Sequence, residues 1–184
     1  MQISIHSITL TLCLALTLCS QAALAEERVL QQPESFITEQ FPHNPKPSLL
    51  WLSQPEREEV TRILGHAPAQ LRQRYWRDGT RTLWILEEIG KEDLITAGLV
   101  INQGRIEKAK VLVYRESRGM EIRYPAFLDQ FPGISLTDEH YLNRNIDGIS
   151  GATLSVQAMV RMSRAALYFD QLVRRLASAK EQTK

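Results

Sequence analysis

The residues best suited to chemistry stand together in Asp147-Gly148-Ile149-Ser150-Gly151-Ala152-Thr153-Leu154-Ser155. They open the longest helical pattern in the chain. A small-residue loop at a helix start presents unpaired N–H groups and the positive end of the helix dipole, so it suits an anion. Gly151 lets backbone approach a ligand closely, and Ala152 adds almost no bulk. Thr153 supplies a hydroxyl that can cap the helix, accept a hydrogen bond or be esterified. The plainer alternative is that Ser150 or Thr153 only caps the helix and Asp147-Gly148 is only a turn.

The elements that must position this stretch can be read from the pattern on either side. After it, Val156, Met159, Val160, Ser163 and Leu167 trace an apolar stripe. Ala166, Phe169, Leu172, Val173 and Leu176 continue it, predicting a helix from Thr153 to about Lys180. Before it, residues 71–76, 82–89, 95–101 and 106–114 are rich in strand formers and separated by turn signals such as Asp78-Gly79. These predict four antiparallel strands in a meander. Ser53-Gln54-Pro55-Glu56 is a helix-start signal, with Gly65 as its stop. A second short helix is expected over 34–41, a third near 125–131, and an extended Pro-rich connection after Phe41. The fold expected is α+β: a sheet of about four strands packed with helices, ending in a long C-terminal helix. Tyr75, Trp76 and Trp84 could stack on a planar ligand, but aromatics in strands more commonly fill the core.

Composition narrows the function. Lys and Arg number 22 against 21 Asp and Glu, a net charge of +1, so there is no electrostatic case for nucleic acid. Residues 1–25 contain no Asp, Glu, Lys or Arg. They include an apolar run over 8–19 and end in Ala23-Leu24-Ala25, the pattern of a cleaved secretory signal. An uncleaved membrane anchor is the competing reading, because residues 3–25 are long enough to span. Lipid anchoring at Cys19 fits less well, since Leu18 precedes it where a small residue is expected. Cys13 and Cys19 both lie in this segment. A cleaved chain would then hold no disulfide, thiolate nucleophile or iron–sulfur cluster, and its redox chemistry would come from a bound cofactor. His66 and the Asp138-Glu139-His140 run match no standard metal-ligand spacing and read as solvated loop residues.

The Asp-x-x-Ser-Gly-Ala-Thr stretch resembles the flavinylation motif of the FMN-binding domain family. That family includes the periplasmic flavin subunits of sodium-translocating NADH:quinone reductase and of Rnf electron-transport complexes. The resemblance places covalent FMN on Thr153 as a phosphoester, with Asp147, Ser150, Gly151 and Ala152 in matching motif positions. It implies a flavin transferase as modifying partner, using FAD as donor, and assigns Asp147 to transferase recognition. A second match precedes it. Glu116, Ser117 and Gly119 fit a family loop near the isoalloxazine ring, with Arg118 where some relatives have Pro. Gly119 would supply a positive φ and Ser117 a hydrogen bond to the ring. On this resemblance the chain divides into a signal peptide (1–25), an N-terminal extension (26–52) and an FMN-binding domain (53–184). It implies a periplasmic or exported electron carrier, membrane-anchored if uncleaved, with a membrane reductase or cytochrome as redox partner. No separate catalytic acid, base or nucleophile and no metal site is expected. The alternative is a non-redox accessory subunit that keeps the motif only as a helix cap. A flavin reductase is disfavoured, because no nicotinamide or substrate site is recognisable.

Overall fold

The computed structural model describes residues 27–182. The expected signal segment and both cysteines lie outside that range. The elements run β1 (Arg28–Val29), α1 (Pro33–Gln40), β2 (Ser48–Trp51), α2 (Gln54–Leu64), β3 (Arg72–Asp78), β4 (Arg81–Ile89), β5 (Leu94–Asn102) and β6 (Arg105–Tyr114). A 3₁₀ turn (Met120–Arg123), α3 (Pro125–Leu128) and α4 (Thr153–Gln182) complete the chain.

The sheet has six antiparallel strands in the order β1-β6-β5-β4-β3-β2, and the expectation of about four is corrected accordingly. The expected meander is its centre, β3 to β6. The two additional strands are its edges. β1 has two residues and β2 four, too short for a period-two pattern to register. β2 also follows Pro45 and Pro47, which signal extended chain without saying that it pairs.

Residues 95–101 of β5 are buried throughout, because both faces of the sheet are covered. Leu99, Ala97 and Ile95 face α4 and α2, while Val100 faces α1 with Leu83 and Leu112. α1 inserts Phe36 and Ile37 on that second face, and Phe41, just past its end, joins them. Phe36 lies so close to Gly98 that a Cβ there would stand 2.4 Å from its ring. On the first face Trp84 is fully buried, stacked on Tyr75 at 5.0 Å and beside Phe169 at 5.4 Å. Trp76 packs on the α1 side. Trp84 is thus a core residue, and Tyr75 and Trp76 are half-buried against the core.

α4 is anchored by a buried carboxylate. Asp170 accepts hydrogen bonds from Thr82 Oγ1 at 2.7 Å and from Arg174 Nε at 2.7 Å, and Trp84 Nε1 donates to the same threonine oxygen at 3.0 Å. Its charge is therefore met on both oxygens, as burial requires. No described helix is long and apolar enough to cross a membrane.

Gly98→Ala should drive the new methyl into Phe36 and cost about 1–3 kcal/mol of stability. A urea midpoint that falls, and partly recovers when Phe36→Leu is added, is the expected result.

Candidate functional site

Two segments far apart in sequence build the site. The first is the start of α4. Ile149 and Ala152 close a turn, with the Ala152 N–H on the Ile149 carbonyl at 3.0 Å. Gly151 has φ +82°, which a residue with a side chain adopts only at a cost. A Cβ at Gly151 would meet nothing, so the conformation, not close approach, requires glycine there. The Val156 N–H bonds the Ala152 carbonyl at 2.9 Å, which makes Ala152 the residue that precedes the first helical turn. Its methyl group is buried and cannot cap. The N–H groups of Thr153, Leu154 and Ser155 have no acceptor among the described residues. The Thr153 hydroxyl has no hydrogen-bond partner among them either, and the residue is exposed.

The second segment follows β6. Glu116 is buried, and its Oε1 accepts from the backbone N–H groups of Lys91, Glu92 (2.8 Å) and Asp93 (3.1 Å). The carboxylate thereby fastens the β4–β5 turn to the loop after β6. Gly119 has φ +88°, and a Cβ there would stand 2.6 Å from Ser155 Oγ and 2.9 Å from Tyr114 Oη. The loop is thus pressed onto the start of α4. The Tyr114 hydroxyl donates to the Arg118 carbonyl. With that proton committed, Ser155, 3.0 Å away, is the donor to the tyrosine oxygen. Burial holds the Tyr114 pKa above its ordinary value, opposed by the Ser155 hydrogen bond.

Between these segments lies a cleft of about 540 Å³, lined by Lys91, residues 116–118, Gly151 and residues 153–155. That volume falls in the range of small-molecule sites. Of the residues singled out in the sequence, Glu116, Ser117, Gly151 and Thr153 line the cleft. Ala152 and Gly119 are buried, and the Cβ that Gly119 lacks would lie 3.4 Å from that of Ala152. Asp147 and Ser150 are exposed and do not line it; the Asp147 N–H bonds Gln130 Oε1 at 2.7 Å. Glu116 is committed to backbone through one carboxylate oxygen, a role its sequence position did not reveal.

Sequence reasoning gave Leu154 and Ser155 no role within the 147–155 stretch, and missed Lys91 and the part played by Tyr114. Lys91 reaches the cleft through a contact spanning 25 residues of chain, for which local sequence carries no signal. Ser155 follows the motif directly and offered a weak one. Lys91 Nζ pairs with Glu92 at 2.8 Å, whereas the Arg118 guanidinium has no ion-pair partner among the described residues. The cleft therefore combines helix N–H donors, a free hydroxyl and two cationic side chains, an arrangement that suits a phosphate-bearing ligand.

The histidines stand elsewhere. His66 Nε2 lies 2.9 Å from Glu88 Oε1, which Arg161 also approaches at 3.1 Å. His140 Nδ1 lies 2.7 Å from Glu59, not beside Asp138 or Glu139. The His66 pKa is raised, first by the Ala67 carbonyl and then by Glu88, with burial and then Arg161 opposing. A raised value stabilises the fold below the unfolded pKa, near 6.5, and that contribution fades as pH rises through the folded value. Replacing His66 with Asn should therefore lower the urea midpoint at pH 5 and leave it nearly unchanged at pH 8.5. Gly119→Ala should do more, opening the contact between loop and helix at a cost of about 1–3 kcal/mol. Proteolysis after the 115–119 loop in that variant, and not in the parent, would register the release.

A search of curated proteins finds no match to the chain. The model of the FMN-binding domain family matches residues 90–168. The matched segment contains every residue that lines the cleft. It runs from the turn held by Glu116 into α4, leaving β1, α1, β2, α2, β3 and β4 outside the match.

Proposed function

We propose that this chain is an exported flavoprotein carrying FMN covalently on Thr153, which transfers electrons between a membrane reductase or cytochrome and an acceptor. The observation that carries this reading is the free Thr153 hydroxyl, at a helix start without a side-chain cap, inside the cleft of an FMN-binding domain. The residues present suit the cofactor. Donors at the helix start match a phosphate, and the cleft is large enough for a small planar ligand.

In the attachment step the Thr153 oxygen forms a bond to the FMN phosphorus of FAD as the pyrophosphate bond breaks. AMP leaves and the hydroxyl proton is released. A transferase would supply the catalysis, consistent with the lack of a basic side chain hydrogen-bonded to Thr153 among the described residues. The resulting phosphodiester carries one negative charge. The N–H groups of residues 153–155 favour it by about 0.3–1 kcal/mol through the helix dipole. When bound, the flavin supplies the redox chemistry, taking up two electrons and two protons, singly or together, and returning them to the acceptor. The chain's own residues hold the cofactor and shape its surroundings. Covalent attachment keeps the cofactor from being lost to a dilute compartment, as a tether does in multivalent binding. Export is supported by the uncharged, apolar segment 1–25 and its small-residue end.

Coexpression with a flavin transferase should give a band that fluoresces as flavin after denaturing electrophoresis. Thr153→Ala should abolish that fluorescence. Asp147→Ala should reduce it if Asp147 serves transferase recognition, without changing the urea midpoint by more than about 0.5 kcal/mol, since the side chain is exposed. A parent protein that stays dark beside a competent transferase would favour the accessory-subunit reading.

A further inference from the structure

The charges lining the cleft exceed what a tethered phosphate needs. A phosphodiester brings one negative charge, and the unpaired N–H groups of residues 153–155 face it. Glu116 Oε1 is engaged by three backbone N–H groups of the β4–β5 turn. Lys91 and Arg118 remain on the other wall, both exposed and both lining the cleft that holds Thr153. Their backbones are fixed at that wall. The Lys91 N–H is bound by Glu116, and the Arg118 carbonyl accepts the Tyr114 hydroxyl.

We propose that Lys91 and Arg118 are tuning residues that raise the electron affinity of the flavin held in this cleft, with Glu92 as their counterweight. The proposal rests on the attachment reading above. A cation beside a group that gains electrons favours the reduced form, and an anion disfavours it. The two cations are not equivalent. Arg118 has no ion-pair partner among the described residues, while Lys91 is partly neutralised by the Glu92 carboxylate 2.8 Å away. A ranked and signed pattern follows. Removing Arg118 lowers the midpoint potential most, removing Lys91 lowers it less, and neutralising Glu92 raises it. All three side chains are at the surface, so salt screens each effect within a Debye length of about 8 Å at physiological ionic strength.

The test uses the full chain coexpressed with a flavin transferase, as parent, Arg118→Met, Lys91→Met and Glu92→Gln. Intact mass is read first, then the midpoint potential at low and high salt. The expected result is an attached flavin in all four proteins, potentials ordered Glu92→Gln above parent above Lys91→Met above Arg118→Met, and gaps that shrink as salt rises. Four equal potentials on flavin-loaded proteins would overturn the tuning role and leave the attachment reading intact. A Glu92→Gln potential that moves down with the other two would overturn it as well, because a general loosening of the cleft has no reason to follow the sign of the charge. A parent protein without added mass would overturn the attachment reading, and the tuning role with it.

Discussion

No side chain fits at position 119. Ser155 and Tyr114 occupy the space a Cβ would need, and the backbone there lies in the left-handed region. This close approach presses the loop after β6 onto the first turn of α4, beside the Tyr114–Ser155 hydrogen bond at 3.0 Å. Residues 116–118 are thereby held beside the helix start, and the cleft is the space between them. The Tyr114 hydroxyl reinforces the seat from beneath, donating to the Arg118 carbonyl while Ser155 donates to it.

Two buried carboxylates and the start of α2 have their polar partners in place, and the start of α4 does not. Asp170 is fully buried and met on both oxygens. Glu116 is buried and accepts three N–H groups. At α2 the Glu56 carboxylate accepts both the Ser53 N–H (2.6 Å) and its hydroxyl (2.7 Å). At α4, by contrast, alanine stands where Ser, Thr, Asn or Asp would contribute about 0.5–2 kcal/mol. A long helix buried along the sheet can bear that loss, because packing rather than capping stabilises it. The donors left open are those an anionic ligand would use. A site of this kind is built by leaving a local rule unmet where the surrounding structure can tolerate it.

How much of this could be read from sequence follows from the range of each interaction. The β3–β6 meander and α4 were legible because their patterns are local and long. The edge strands were not, since two and four residues carry no periodicity and their pairing is set by the sheet they join. The motif at 147–155 was legible as a turn opening a helix, and Thr153 and Gly151 line the cleft beside it. Glu116 was legible as part of a loop motif but not as the clamp of a turn 25 positions earlier. Lys91 was invisible for the same reason. Asp147 illustrates the reverse case, a prominent motif position that stands away from the cleft. Arg161 and Arg164 look like the wet side of a helix, yet they bond the Ile89 carbonyl at 2.8 Å and the His140 carbonyl at 2.7 Å.

The account stands on a single covalent bond at the threonine hydroxyl that opens the last helix. Peptide mapping by tandem mass spectrometry of the protein made beside a flavin transferase tests it most directly. The account predicts one added FMN, less one water, on the peptide containing residues 153–161, with fragment ions placing it on Thr153. An unmodified peptide, or the same mass placed on Ser150, Ser155 or another residue, would contradict it.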